Sequence, residues 1–466
     1  MAMFDGPGTF DDSGTTVWLP GETAYETATR VFNLAAPARP AAAVTARTLD
    51  QIRAALGHAR AEGLPVRVHS TGHAAAATGP MEGSLLIRTE LEGDVEIDPR
   101  RRLARIPAGT RWGAVVAAAA PHGLAAPHGS SPTVGAVGYL LGGGLSPYGR
   151  QLGLAVNSVR AIELVTADGQ LRRADASHDP DLFWALRGGG GGFGVVTAVE
   201  VELSEAAGVV TGSTSWAAEH AGPLLTRWLE WTLKAPREVT TSLRLMNLPP
   251  LPDVPPALVG STLAVDGAIL VPAGGDPAAA QRMADQMLEP LLATADPVMS
   301  TWALTSLSGA LEAHMDPTDP VPFAGDHMLL SELDEDAVAE FLRLFGPGSG
   351  SPLIVAGLRQ LGGAFAEPAP DGGALDHLDA PYCYAGSGVP FDAAAARALE
   401  EHRAKVRTAL RPWDTGRTVP SFVESVTQPQ RHLDALAVSR VDRVRTRVDP
   451  DGLFRGDIAP NATSLW

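Results

Sequence analysis

Residues 179–203 read DPDLFWALRGGGGGFGVVTAVEVEL, and the reading of this stretch decides the fold. Gly189, Gly191 and Gly194 meet the G-x-G-x-x-G spacing of a dinucleotide-binding turn. That turn needs a strand before the glycines and a helix after them, because the pyrophosphate rests on the helix N-terminus. Here the order is inverted. Pro180 suits the first position of a short helix running through LFWAL. The β-branched run VVTAVEVEL after the glycines suits a strand. The expectation is therefore helix, glycine turn, strand, and a doubly wound nucleotide fold is set aside.

Working outward, AIELVTADGQLRRA reads as a hairpin turning at Asp168-Gly169. Glycine recurs at 129, 135, 138, 142, 143, 144, 149 and 153. Further upstream, TLDQIRAALGHARAEG (48–63) is a helix with a Thr48/Gln51 capping box, stopped by Gly63. PVRV, SLLIRTE and VEIDPRRRLARIPAG read as strands, and RWGAVVAAAAPHG as a helix ended by Pro121 and Gly123. Past residue 205 the pattern changes. Strands such as STSWAA, TTSLRLMNL and PLIVAGLRQL alternate with helices such as DPAAAQRMADQMLEPLLATA and DAVAEFLRLFG, which predicts an antiparallel sheet with helices on one face. Three segments result: 1–205, 206–410 and 411–466, the last holding a helix over LDALAVSRVDRVRTRV and ending in DPDGLFRGDIAP.

The 466 residues carry 36 Lys+Arg against 53 Asp+Glu, a formal charge of −17, with 45% hydrophobic residues. Such a field repels nucleic acid and anionic membranes, yet local backbone N–H groups still bind phosphate in an acidic protein. A lone cysteine, Cys383, rules out an internal disulfide. No apolar run reaches membrane-spanning length and the N-terminal stretch has no signal-peptide pattern, so a cytoplasmic protein is expected.

The chemistry concentrates in VRVHSTGHAAAATG, residues 66–79. A buried strand breaks into a loop of small residues holding His69 and His73. Their i, i+4 spacing suits two metal ligands on a helix, but Gly72 and the preceding strand argue against a helix there, and no third ligand cluster stands out. No metal is expected. Two hydrogen-bonded loop histidines are the plainer reading. No nucleophile elbow or P-loop is present, and Arg100–Arg102 read as a solvated hairpin tip. What remains is an arrangement: three backbone stretches free of bulky side chains, able to converge on a long phosphate-containing cofactor.

At this point the chain resembles the FAD-linked oxidases of the vanillyl-alcohol-oxidase type, and more closely the berberine-bridge-enzyme-like group. VRVHSTGHA resembles the attachment loop of that family, with His73 at the position that bonds covalently to the flavin. GSSPTVGAVG (129–138) resembles its Gly-x-Cys-Pro-x-x-Gly-x-x-Gly stretch, GGGLSPYGRQLGLAVNSV its next flavin loop, and LRQLGGA (358–364) a substrate-domain strand. DPDLFWALRGGGGGFGVVTAVEVEL is the most specific likeness, and DPDGLFR matches the segment that returns to the flavin domain.

The resemblance implies an α+β chain: a two-part FAD-binding domain of the PCMH type plus a substrate domain whose antiparallel sheet is covered by helices. It implies FAD, covalent through His73, with His69, Ser70, Thr71, Gly72, Ser131, Val134, Gly135, Gly138, Gly142, Gly143, Val196, Val199 and Asp457 as cofactor contacts. Ser131 stands where the family has a second attachment cysteine, so one link is expected. Val419 and Ser421 stand where the family has Tyr-x-Asn, so the catalytic base must be sought elsewhere. Tyr139, Tyr382 and Tyr384 are the phenolic candidates, with aromatic packing as the plainer reading of each. Arg359 and Gln360 fall on opposite faces of a strand, and one of them is expected to line the substrate pocket. Segments 248–260 and 314–325 are either loops over that pocket or plain connections. The partners implied are a small-molecule substrate and molecular oxygen.

Three activities compete: an oxidase acting on a hydroxylated or polycyclic secondary metabolite by hydride transfer, flavin-driven oxygenation or rearrangement of a polyketide-like substrate, and a non-catalytic flavoprotein that sequesters a small molecule.

Overall fold

The computed structural model describes residues 9–10, 16–252, 254–456 and 458–460. The 179–203 stretch folds in the inverted order. Asp179 caps a helix over Pro180–Leu186, accepting from the Leu182 amide at 3.2 Å, and the strand Val195–Glu202 follows. Between them Gly188, Gly190, Gly191, Gly192 and Gly194 all have positive φ, which L side chains rarely adopt. The glycine run is thus a tight turn. The C-terminal return holds it: Arg445 donates to the Gly189 and Gly191 carbonyls, and a His432 ring nitrogen lies 2.8 Å from the Gly188 carbonyl.

Val195–Glu202 is the central strand of a five-stranded antiparallel sheet, between Val159–Val165 and Leu103–Pro107. Leu171–Asp175 closes the predicted hairpin across Gly169. A separate three-stranded parallel sheet places Leu85–Thr89 between Ala42–Ala46 and Val66–His69. Its helix Leu49–Ala61 carries the capping box as expected and buries Ile52, Ala55, Leu56 and Ala59 against the sheet. Residues near the C-terminus return to this sheet: Val66 and Arg455 exchange backbone bonds with Leu453 and Val66, and Phe454 enters the same core.

The largest sheet has nine strands, two of which, Leu124–Ala125 and Ala303–Thr305, pair with Ser204–Ala217 off the main path. Its path runs Met299–Ser300, Ser204–Ala217, Gly260–Pro272, Val239–Leu248, Val355–Gln360, Tyr382–Gly388, Ala324–Leu330, all antiparallel. Helices Ala221–Thr232, Pro277–Leu292, Glu335–Phe345 and Ala393–Ala409 cover one face, with Trp228, Met287, Phe341 and Val406 in a shared core. The other face packs on the N-terminal half. Leu329 and Cys383 share a core with Leu140 and Leu145 of the glycine-rich segment and with Val441 of the C-terminal helix Ala435–Val448.

One docking point explains the fit of the halves. Arg150, in the short helix Gly149–Leu152, is buried and donates to the carbonyls of Val239 (2.8 Å), Ala235 (3.1 Å) and Leu361. A Cβ on Gly149 would collide with the Phe365 ring, so only glycine lets these two segments meet.

Candidate active site

The strand Val66–His69 delivers its chain into a loop crossed by the segment 31–33. The Phe32 amide donates to the Thr71 carbonyl at 2.9 Å, and a Cβ on Gly72 would lie 2.7 Å from the Val31 backbone. This crossing fixes His73. Its imidazole stacks on the Phe32 ring at 3.7 Å, and its Nε2 lies 3.2 Å from Thr133 Oγ1. Thr133 Oγ1 is in turn 3.0 Å from Ser131 Oγ. The histidine of one loop and the serine of the other are therefore joined through a single hydroxyl. Burial pushes the His73 pKa down to about 4, so at neutral pH the ring is uncharged and keeps a free lone pair.

The two loops meet closely. A Cβ on Gly135 would sit 2.5 Å from Ser70 Oγ and 3.6 Å from Thr71 Oγ1. The amides of Gly72, His73 and Ala74 find no acceptor among the described residues and are free to serve a ligand. His69 turns away from His73. Its Nε2 meets the Ala28 carbonyl at 3.3 Å, while its buried Nδ1 has no partner. The two histidines do not converge, and among the described residues no group of three His, Cys, Asp or Glu side chains is placed to hold a metal ion.

Val134 gives its carbonyl to the Trp112 amide, which ties the loop to the helix Trp112–Ala119. Gly138 lies on the exposed side of the helix Ala136–Leu141, and a Cβ there would meet nothing within 4 Å. The Gly142 carbonyl accepts from the Ser421 amide at 3.0 Å, and Gly143, with φ +97°, faces Leu375 and Val419. Val196 and Val199 lie on the strand Val195–Glu202. Both side chains enter the core, and Val199 pairs with Ile106 on one side and Ile162 on the other. They form a supporting wall, whereas Thr197 between them keeps a buried hydroxyl without a partner. Asp457 lies outside the described residues.

The phenolic candidates fail on geometry. The Tyr139 ring is wedged between Gly129 and Gly144, edge-on to Trp112 at 5.5 Å, and its hydroxyl is buried. Desolvation raises its pKa far beyond neutral, so it stays protonated. Tyr382 and Tyr384 share a strand face, but it is the helix-covered one. Tyr382 bonds Thr232 Oγ1 at 2.6 Å, and Tyr384 stacks on Phe345 at 5.4 Å. Gln360 follows them, with its amide on the Thr232 carbonyl at 3.0 Å, and is no pocket residue. Strand parity puts Arg359 and Cys383 on the opposite face. Arg359 donates to the Leu145 carbonyl at 3.4 Å and lies over the Phe422 ring at 5.3 Å.

Four residues outside the expected set complete the site. Thr133 stood inside a quoted motif, and its hydroxyl was the available signal. Phe32 lay in a stretch without pattern. Asp316 accepts from Ser130 Oγ at 2.6 Å, so the loop around residue 316 reaches the segment 129–138, while Val321 bonds the backbone at Phe32 and Leu34. The segment around 256, by contrast, is a surface connection. Glu424 is the fourth and is taken up below.

The residues present fit a flavin dinucleotide. Neutral His73, three unpaired amides, and the buried partnerless His69 Nδ1, Thr197 Oγ1 and Ser421 Oγ offer one nucleophile and a set of waiting donors and acceptors.

Comparison with known proteins bears on the same residues. Residues 40–175 match the family described as FAD binding domain. The chain is 36% identical over 188 residues to the FAD-dependent monooxygenase FUP4 of Fusarium proliferatum, covering 40% of this chain and 35% of that protein. It is 33% identical over 218 residues to (R)-6-hydroxynicotine oxidase of Paenarthrobacter nicotinovorans, covering 46% and 47%. The matches thus span a third to a half of these relatives' lengths. Among solved structures, the BBE-like 1 protein of Physcomitrella patens superposes with a TM-score of 0.81 at 18% identity, covering 96% of this chain and 98% of that one. A carbohydrate oxidase of Microdochium nivale gives 0.75 at 21% identity, covering 96% and 98%. At these identities the superpositions show a shared fold, that of the BBE-like 1 protein and the carbohydrate oxidase.

Proposed function

We propose that this protein is an FAD-dependent oxidase that carries its flavin covalently on His73 and oxidises a hydroxylated small molecule. The carrying observation is the neutral imidazole of His73, stacked on Phe32 and linked through Thr133 to Ser131 where the two loops converge. In this proposal residues 1–205 and 411–466 hold the cofactor and residues 206–410 cover it. Ser70, Thr71 and Gly72 bring the backbone to the pyrophosphate. Val134, Gly135, Gly138, Gly142 and Gly143 shape the second wall, and Asp457 belongs to the returning segment.

When bound, FAD supplies a two-electron acceptor that oxygen can restore. The chain's own work is positioning. The His73 imidazole is the attachment nucleophile, because it is uncharged and its ring is held by Phe32 on one face and by Thr133 at its edge. Ser131 makes no second link, since a hydroxyl is a far poorer nucleophile than a thiolate. Arg359 and Phe422 line the substrate side of the cavity, and Asp316 with Ser130 closes the loop around residue 316 over it.

The relatives' names point to substrates such as 6-hydroxynicotine and carbohydrates, and here a hydroxylated or polycyclic secondary metabolite is proposed. The proposed compartment is the cytoplasm; among the described residues no helix is long and apolar enough to cross a membrane. The test is anaerobic incubation of the purified protein with a panel of aromatic polyketides, hydroxylated heterocycles and sugars, followed by air. Flavin bleaching that reverses with one H₂O₂ per turnover supports the proposal. Incorporation of labelled oxygen into product favours the oxygenase reading suggested by the first relative. Tight binding without bleaching defeats both.

A further inference from the structure

The three phenols are packed away, so proton removal needs another group within reach of the substrate. The segment 419–426 is strung between the two loops proposed to bracket the flavin. Its Ser421 amide bonds the Gly142 carbonyl at 3.0 Å, and its Val426 amide bonds the Ala76 carbonyl at 3.1 Å, three residues past His73. Between these anchors stands Glu424. The Gln428 side-chain oxygen fixes its amide at 3.0 Å, and Phe422 two residues earlier lies under Arg359.

The Glu424 side chain runs across Gly325. A Cβ on that glycine would be 3.0 Å from Glu424 Cγ and 3.4 Å from its carboxyl carbon. Gly325 shares its strand face with His327 and Leu329, and Leu329 packs in the core common to the sheet and the flavin loops. The carboxylate is therefore on the sheet face that packs against the N-terminal half, opposite the helix-covered one. Among the described residues it has no hydrogen-bond or ion-pair partner. Asp326 nearby is held by Arg407, and Asp266 by Arg244. A half-buried carboxylate without a donor wants a proton or a hydroxyl.

We propose that Glu424 is the catalytic base. This rests on the oxidase reading. The substrate O–H bond breaks and its proton moves to the Glu424 carboxylate. The adjacent C–H bond breaks with its electron pair, which leaves as hydride to the oxidised flavin. The C–O single bond becomes C=O, the proton later passes from Glu424 to solvent, and oxygen, taking the two electrons together with two protons, one from the transferred hydride and one from solvent, would become H₂O₂.

Burial and the Asp326 charge push the Glu424 pKa up to about 7, the range that suits a base at neutral pH. Its charged neighbours are few. Asp326 and Arg407 form one pair; Arg403 donates to Thr427, and Arg359 stands over Phe422. His327 and His73 are held neutral by burial, at about 3 and about 4, and do not titrate near pH 7.

The test uses flavin-loaded Glu424→Gln and Glu424→Asp with a substrate that bleaches wild type. Glu424→Gln should slow anaerobic flavin reduction by about 100-fold or more and erase the limb of the pH profile near 7. Glu424→Asp should restore part of the rate. Reoxidation of chemically reduced flavin by oxygen should be unchanged in both. Independently of any substrate, infrared titration should show a carboxyl band converting near pH 7 in wild type and missing in Glu424→Gln. Reduction within threefold of wild type with an unaltered profile, or no band titrating near 7, overturns the assignment. Failure of every substrate to bleach wild type would strike the oxidase reading while the infrared result still judges Glu424.

Discussion

Replacing Arg150 by methionine keeps most of the stem volume and removes the guanidinium that joins the two halves. Its donors serve the Val239, Ala235, Pro236 and Leu361 carbonyls, which belong to the sheet-and-helix half, while Arg150 itself sits beside the glycine-rich loops. Each hydrogen bond to a charged group contributes roughly 1.5–3 kcal/mol, but four bonds from one side chain do not add, and desolvation of the arginine offsets part of the sum. The carbonyls left behind are the larger effect, and a net loss of about 3–5 kcal/mol is expected. For a chain of this length, with about 2.1 cal/mol/K of unfolding entropy per residue, that is a fall in Tm of about 3–5 °C. Arg150→Lys should recover only a fraction, because an ammonium cannot span four acceptors. Scanning fluorimetry of the flavin-loaded protein reads the shift. A Tm within 1 °C of wild type would show that the halves are held by apolar contact alone.

Other substitutions probe the site. Gly138→Leu should leave the fold intact, since a side chain there meets open space, yet lower flavin incorporation if the cofactor runs along that helix; unchanged flavin content refutes the path. Arg359→Ala should weaken substrate-induced bleaching at normal Tm, whereas Gln360→Ala should cost about 1–3 kcal/mol of stability and leave bleaching alone. The reverse pattern would invert the strand. Glu424→Gln should also carry a pH signature in stability. The raised pKa means the folded state holds its proton more tightly than the unfolded chain. The cost of ionising it is absent below the ordinary carboxylate range, grows as pH rises, and is complete above about 7. The variant should therefore gain stability over wild type from pH 5 to 8, by about 1–2 kcal/mol after allowance for partial exposure. A gap constant with pH contradicts the titration.

Local pattern carried most of the architecture. The inverted order around 179–203, the Thr48/Gln51 cap and the Asp168-Gly169 turn are all visible because each depends on residues a few positions apart. The loop that follows Val66–His69 was legible for the same reason, whereas the role proposed for His73 came from the family resemblance alone. Its stacking partner Phe32 was not legible, because the chain crossing at residues 31–33 is a tertiary event without local signature. The tyrosine error has a related cause. Alternation correctly puts Tyr382 and Tyr384 together and Cys383 opposite, but period two cannot say which face meets the helices. Glu424 has no local signature, because its missing partner is a property of the folded site alone.

The central claim is that His73 carries the flavin. Acid-precipitated protein, digested and examined by mass spectrometry with flavin fluorescence, tests it directly. The account predicts that the yellow colour stays with the polypeptide, that the flavin mass sits on the peptide containing His73, and that the peptide containing Ser131 is unmodified. Colour released wholly to the supernatant, or flavin found on any residue other than His73, would contradict it.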